Sequence, residues 1–347
     1  MTHATALLGL LLLGMPRVGP SPAFWSPRTP LPNPYLRLFV ASPADDRTLY
    51  AVAADASQAS ALFESVDGAA SWTALAEIPA GEEIGSLAID PADPQTLLRT
   101  THRFPAGTTM VDRSPDGGLS WQSSLDPGVY CGPVGFAREG AVALVGCEDR
   151  LFRTYDGGAT WSSVPNPLGS RPFTPAPDGS ILAVGDGIYR TPDDGATWTR
   201  VGELPDCSDV NTLAVSPSNP LELLAGAAVP HALGILCGGI FRSENSGLSW
   251  VETLDGRDVI QIQFDVSAPT RVFASAAGSG PASDFPYGGV FASDDGGRTW
   301  RELESPGLSD LPASIALSAS GRTLYTCLFQ GSVFVHRFRR PPLLAPR

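Results

Sequence analysis

The chain has no lysine: every one of its 23 basic residues is arginine. Schiff-base chemistry and the phosphate-binding lysine of P-loops are therefore excluded. No basic patch stands out against a net charge of −13, with acids spread along the whole sequence, which argues against nucleic acid as a partner. After the first residues no stretch is long and apolar enough to span a bilayer. The five cysteines form no paired C-x-x-C arrangement of the kind that binds zinc, no other ligand cluster predicts a metal, and nothing signals an organic cofactor.

What is abundant is glycine (37) and proline (33), as many short strands joined by turns require. An eight-residue phrase recurs: Ser114 to Trp121, Thr154 to Trp161, Thr191 to Trp198 and Ser293 to Trp300 are its full copies. Ser65 to Trp72 lacks the second glycine, and Ser243 to Trp250 has Asn245 in place of aspartate. Asp67, Asp116, Asp156, Asp193, Asn245 and Asp295 are expected to brace tight turns by accepting backbone N–H bonds, with glycine at the positive-φ position. Trp72, Trp121, Trp161, Trp198, Trp250 and Trp300 then open the next strand and cover a neighbouring unit. Such a hairpin cannot bury its apolar face alone, so copies must stack.

This pattern, Ser/Thr-x-Asp-x-Gly-x-Ser/Thr-Trp, resembles the Asp-box (BNR) repeat, and the resemblance over residues 36–338 implies an all-β propeller of the sialidase-like fold. A second recurring element sets the blade count. Short apolar strands flank turns at Ser42-Pro43, Asp90-Pro91, Glu139-Gly140, Pro177-Asp178-Gly179, Ser216-Pro217, Ala268-Pro269 and Ser320-Gly321, giving seven openings against six phrases. Trp25 stands 18 residues before Pro43, and Trp72 19 before Pro91, so Trp25 occupies the place of the missing outer strand. Seven four-stranded blades are expected, the last closed by the segment 24–26, with six blades as the alternative.

The domain reading is a signal peptide over 1–23, a propeller over 24–338 and a tail over 339–347. Ala4 to Met15 is an apolar run too short to span, followed by the small-residue triplet Ser21-Pro22-Ala23. Export to a periplasm, a surface or the medium is expected, which suits disulfides. Cys131 and Cys147 flank one hairpin turn almost symmetrically and are expected to pair; Cys207 and Cys237 are a second candidate pair, and Cys327 a buried thiol.

Function is expected on long loops. The links between second and third strands expand in units two, five and six, which nominates His102, Arg103, Phe104, His231, Asp284, Phe285 and Tyr287 for binding. Against a sialidase activity, no Phe/Tyr-Arg-Ile-Pro motif precedes Ser65, and no carboxylate pair is set across one bond as a glycosidase needs. The resemblance is closer in character to the non-catalytic sortilin-type and photosystem II assembly-factor-like propellers. The expectation is a monomeric, non-enzymatic scaffold that binds a protein, peptide or glycan, with an exo-glycosidase as the alternative and no catalytic residue assigned.

Overall fold

The computed structural model describes residues 25–137, 140, 142–166, 168–205, 210–227, 238–255, 257–277, 288–303 and 312–338. Among these, every regular element longer than a turn is a β-strand, and the strands form seven separate four-stranded antiparallel sheets. Blade 1 is β2 (Tyr35–Ala41), β3 (Leu49–Ala54), β4 (Ser60–Ser65) and β5 (Thr73–Ile78), paired in that order. Strands β6 to β25 repeat the order over residues 82–125, 131–165, 173–202, 210–255 and 258–302. Blade 7 takes only three strands from the C-terminal part, β26 (Pro312–Leu317), β27 (Thr323–Leu328) and β28 (Val333–Arg337). Its fourth is β1 (Ser26–Pro27), with Ser26 opposite Val335 and Pro27 opposite Phe334. The structure is thus a seven-bladed β-propeller closed by its N-terminal strand. The alternative of six blades is set aside.

Each strand alternates faces, so a blade offers apolar side chains to both neighbours and the core divides into pieces between blades. The described residues form seven buried clusters, each straddling one junction and each holding one tryptophan. Trp25 fills the junction of blades 6 and 7 beside Phe273, Val290 and Ile315, and Trp72 packs against the cluster joining blades 7 and 1. Several indoles donate backwards. Trp161 Nε1 donates to Ser124 Oγ (3.2 Å), Trp250 Nε1 to Glu203 O (2.9 Å), Trp300 Nε1 to Thr253 Oγ1 (3.1 Å) and Trp25 Nε1 to Leu303 O (3.3 Å), each on the preceding blade.

The recurring phrase builds one turn six times. In the third blade Thr154 Oγ1 donates to Asp156 Oδ1 (2.7 Å) and accepts from Gly158 N (3.0 Å), while Asp156 accepts from Thr160 N (2.9 Å) and Thr160 Oγ1 (2.6 Å). Those neutral donors, the Thr160 hydroxyl foremost, hold the Asp156 carboxyl down at about 2. Asn245 keeps the turn with one bond reversed, its Nδ2 donating to Ser249 Oγ (2.9 Å). Gly158 is required, since a Cβ there would lie 2.4 Å from Leu98 Cδ2. In the copy without the second glycine, Ala69 takes up φ 63° in full burial.

Where the third strands carry an aromatic ring ahead of the phrase, blade 2 has Asp112 instead, buried and bound to Arg99 Nε (2.9 Å) and Thr101 Oγ1 (2.8 Å). The Arg99 guanidinium lies 4.2 Å over the Trp121 ring, so a paired cation takes the place of the stacked aromatic. The Cys131–Cys147 disulfide forms across directly opposed residues of β10 (Cys131–Ala137) and β11 (Val142–Cys147). Cys327 is a buried free thiol, pushed up to about 12 by burial. Cys207 and Cys237 lie outside the described residues.

Candidate functional site

In an antiparallel blade the turn between strands one and two and the turn between three and four share a face, here the turn face. The links between strands two and three emerge on the opposite, loop face. On the loop face, blade 2 presents the predicted trio at the end of β7 (Leu97–Arg103). His102 stacks on Tyr130 (ring centroids 4.9 Å) and shares a hydrogen bond with Thr109 Oγ1 (2.9 Å). It packs against Gly85, and burial lowers its pKa, with Glu83 partly opposing. Arg103 lies 3.5 Å from Glu82 and 3.9 Å from Asp126. Phe104 is 58% exposed and Tyr130 46%. His231, Asp284, Phe285 and Tyr287 lie outside the described residues. Of the predicted binding residues, the described ones are the consecutive His102, Arg103 and Phe104.

The arginines just ahead of the turn phrase have a structural task that their spacing did not reveal. Arg113 Nε donates to Gly157 O (2.9 Å), Arg153 Nη1 to Asp193 O (3.2 Å), Arg190 Nη2 to Pro220 O (2.6 Å) and Arg242 Nε to Gly296 O (3.0 Å). In every case the acceptor belongs to the next blade. Tyr50 Oη to Gly117 O (3.3 Å), Arg271 Nη2 to Gly321 O (2.6 Å) and Tyr325 Oη to Asp46 O (2.9 Å) complete the circle. All seven junctions are clasped by a side chain reaching forward to a backbone carbonyl of the next blade. These arginines are engaged in the ring wall, and Arg242 also lines a hollow of about 370 Å³ with Glu244, Asn245 and Arg298.

The first strand of each blade is innermost, and its neighbours are the first strands of adjacent blades. Ser86 Oγ accepts from Val134 N (3.0 Å), Asn211 Nδ2 donates to Val259 O (3.1 Å) and Gln263 Oε1 accepts from Leu317 N (3.2 Å), which ties these strands around the axis. Where they end on the turn face they leave a hollow of about 750 Å³. It is lined by Pro91 of blade 2, Phe136 of blade 3, Pro177 of blade 4, Pro217 of blade 5, and Phe264 and Val266 of blade 6. The remaining lining among the described residues is alanine, proline, glycine and valine, without a charged group. Val266 is 79% exposed at its rim. A smaller hollow of about 320 Å³ sits at the opposite mouth, between Arg171, Thr174 and Asn211.

Sequence reasoning identified the prolines as turns but not their convergence on the axis. Among the described residues no group of three or more His, Cys, Asp or Glu side chains is placed to hold a metal ion, and no helix is long and apolar enough to cross a membrane.

Solved structures share this architecture. A structure of YCF48 bound to D1 peptide superposes with a TM-score of 0.64 over 92% of this chain and 99% of that one, at 18% identity. The likeness is one of fold. A chain of the mitotic checkpoint complex matches at 0.64 over 97% of this chain and 99% of its own, at 14% identity. The GH74 xyloglucanase of Xanthomonas campestris matches at 0.51 over 88% of this chain and 66% of its own, at 15% identity. No family model and no curated protein sequence matches the chain.

Proposed function

We propose that this chain is an exported, non-enzymatic propeller that holds a protein or peptide partner at the mouth of its central channel. The observation that carries the reading is the uncharged hollow on the turn face: about 750 Å³ of preformed apolar space on rigid turns, in a chain of net charge −13. A solved propeller of the same fold was captured with a peptide, which supports a peptide as the class of partner. The apolar N-terminal run and the Cys131–Cys147 disulfide support export. A second reading places a glycan on the loop face, because the exposed rings of Phe104 and Tyr130 are surfaces on which a sugar ring stacks.

The test is a peptide and glycan array run beside a hydrolysis screen on sialosides and other glycosides. Capture of peptides without turnover is the expected result. Turnover of any glycoside overturns the non-enzymatic reading, and capture of glycans alone moves the site to the loop face.

A further inference from the structure

Among the described residues the channel mouth is poor in hydrogen-bond donors. Pro91, Pro175, Pro177 and Pro217 bring no backbone N–H to it. Amides of the framing turns are already used within those turns: Ala92 N on Asp90 Oδ1 (2.8 Å), Ser180 N on Asp178 Oδ1 (3.0 Å) and Ser267 N on Asp265 Oδ1 (2.8 Å). What the collar keeps is acceptors. Asp93, two residues beyond Pro91, is exposed and meets only neutral donors, Gln95 N (3.3 Å) and Thr96 Oγ1 (2.9 Å). Asp178, next to Pro177, pairs with Arg190 yet keeps 39% of its side chain in solvent. Asp45, on the corresponding turn of blade 1, is exposed and accepts only from the Arg47 and Thr48 amides.

Taken together, the described turns between first and second strands hold Asp45, Asp46, Asp90, Asp93, Asp178 and Asp265 against Arg47, Arg271 and Arg322. Arg271 is consumed by Asp265 and Gly321 O. The geometry points to a partner segment that is apolar at its centre and carries arginine or lysine at its ends. This rests on the channel mouth being the docking site. The apolar centre fills space that no described charged side chain lines. The flanking cations supply donors that the described collar lacks, and they meet its exposed carboxylates. An acidic segment would set carboxylate against carboxylate with no donor between them, so the same collar rejects it. The overall charge of −13 steers a cationic partner inwards at low salt.

The experiment uses labelled peptides that share one leucine-alanine centre and are flanked by arginines, serines or glutamates. Each is titrated by fluorescence anisotropy against the full chain and its Val266→Arg and Asp93→Asn variants. The arginine-flanked peptide is expected to bind about 10-fold more tightly than the serine-flanked one, the sum of a few exposed ion pairs. That advantage shrinks in about 0.5 M salt. Val266→Arg, at a position exposed enough not to disturb folding, weakens the arginine-flanked peptide about 10-fold or more. Asp93→Asn keeps its turn bonds and costs about 3-fold. Equal affinity for all three peptides, still lost on Val266→Arg, leaves the docking site standing and overturns the charge inference. Binding indifferent to Val266→Arg, or no binding of any peptide, overturns the docking site itself.

Discussion

Trp25→Ala is the sharpest test of how the ring is closed. Trp25 is 6% exposed, donates to Leu303 O at 3.3 Å and meets the His336 ring edge-on at 5.3 Å. Truncating a buried tryptophan removes about 200 Å² of apolar contact, worth about 5 kcal/mol at 25 cal/mol per Å². Measured large-to-small changes of this kind cost about 3–5 kcal/mol. Unfolding entropy of about 2.1 cal/mol/K per residue makes 1 kcal/mol worth about 1.5 °C in a domain of this length. The variant should therefore melt about 5–8 °C below the parent by circular dichroism, with a matching fall in urea midpoint. Deleting residues 24–30 should cost more. It also removes the Arg28 N to Val333 O (2.8 Å) and Thr29 N to Ala69 O (3.1 Å) bonds and the acceptor of Trp72 Nε1 (3.0 Å). A loss below about 1 kcal/mol for Trp25→Ala, or an unchanged midpoint after the deletion, would refute closure by this strand.

Acid unfolding should report the turn aspartates. Hydroxyl donors, Ser71 on Asp67 and Thr160 on Asp156, hold both carboxyls at about 2, below the roughly 3.9 of an unfolded chain, so their stabilisation is complete above pH 4 and lost as pH falls towards 2. The paired change Asp67→Asn with Asp156→Asn should flatten the urea midpoint over that window, and an unchanged slope would count against it. Reduction, or Cys131→Ser with Cys147→Ser, should cost about 3 kcal/mol for a bridge spanning 16 residues, read from the urea midpoint of reduced and oxidised protein.

Much of the scaffold was legible because its rules are local. A serine, aspartate and glycine at fixed offsets close a turn whatever surrounds them, and an even spacing from tryptophan to the next turn reveals a blade. Even Trp25, more than 300 residues from the His336 ring it meets, could be placed by that spacing. The binding surface is not local in this sense. Pro91 and Pro217 are ordinary turn residues in sequence, and only closure of the ring brings them to one hollow. The task of Arg113, Arg153 and Arg242 is equally hidden in sequence, because the carbonyls they hold lie on the following blade. Loop length directed attention to residues 102–104, where the structure finds a packed histidine, a paired arginine and one free ring.

The forward clasps and the tryptophans packed into each junction make each blade a link that holds its neighbour by a similar device all round the circle. Trp25 and Phe338 both touch His336, so the two ends of the folded chain meet at one point. The order in which blades are written along the polypeptide is then separate from their order in space. Evolution or an engineer is free to cut the ribbon between two other blades and seal the old ends, leaving every junction as it was.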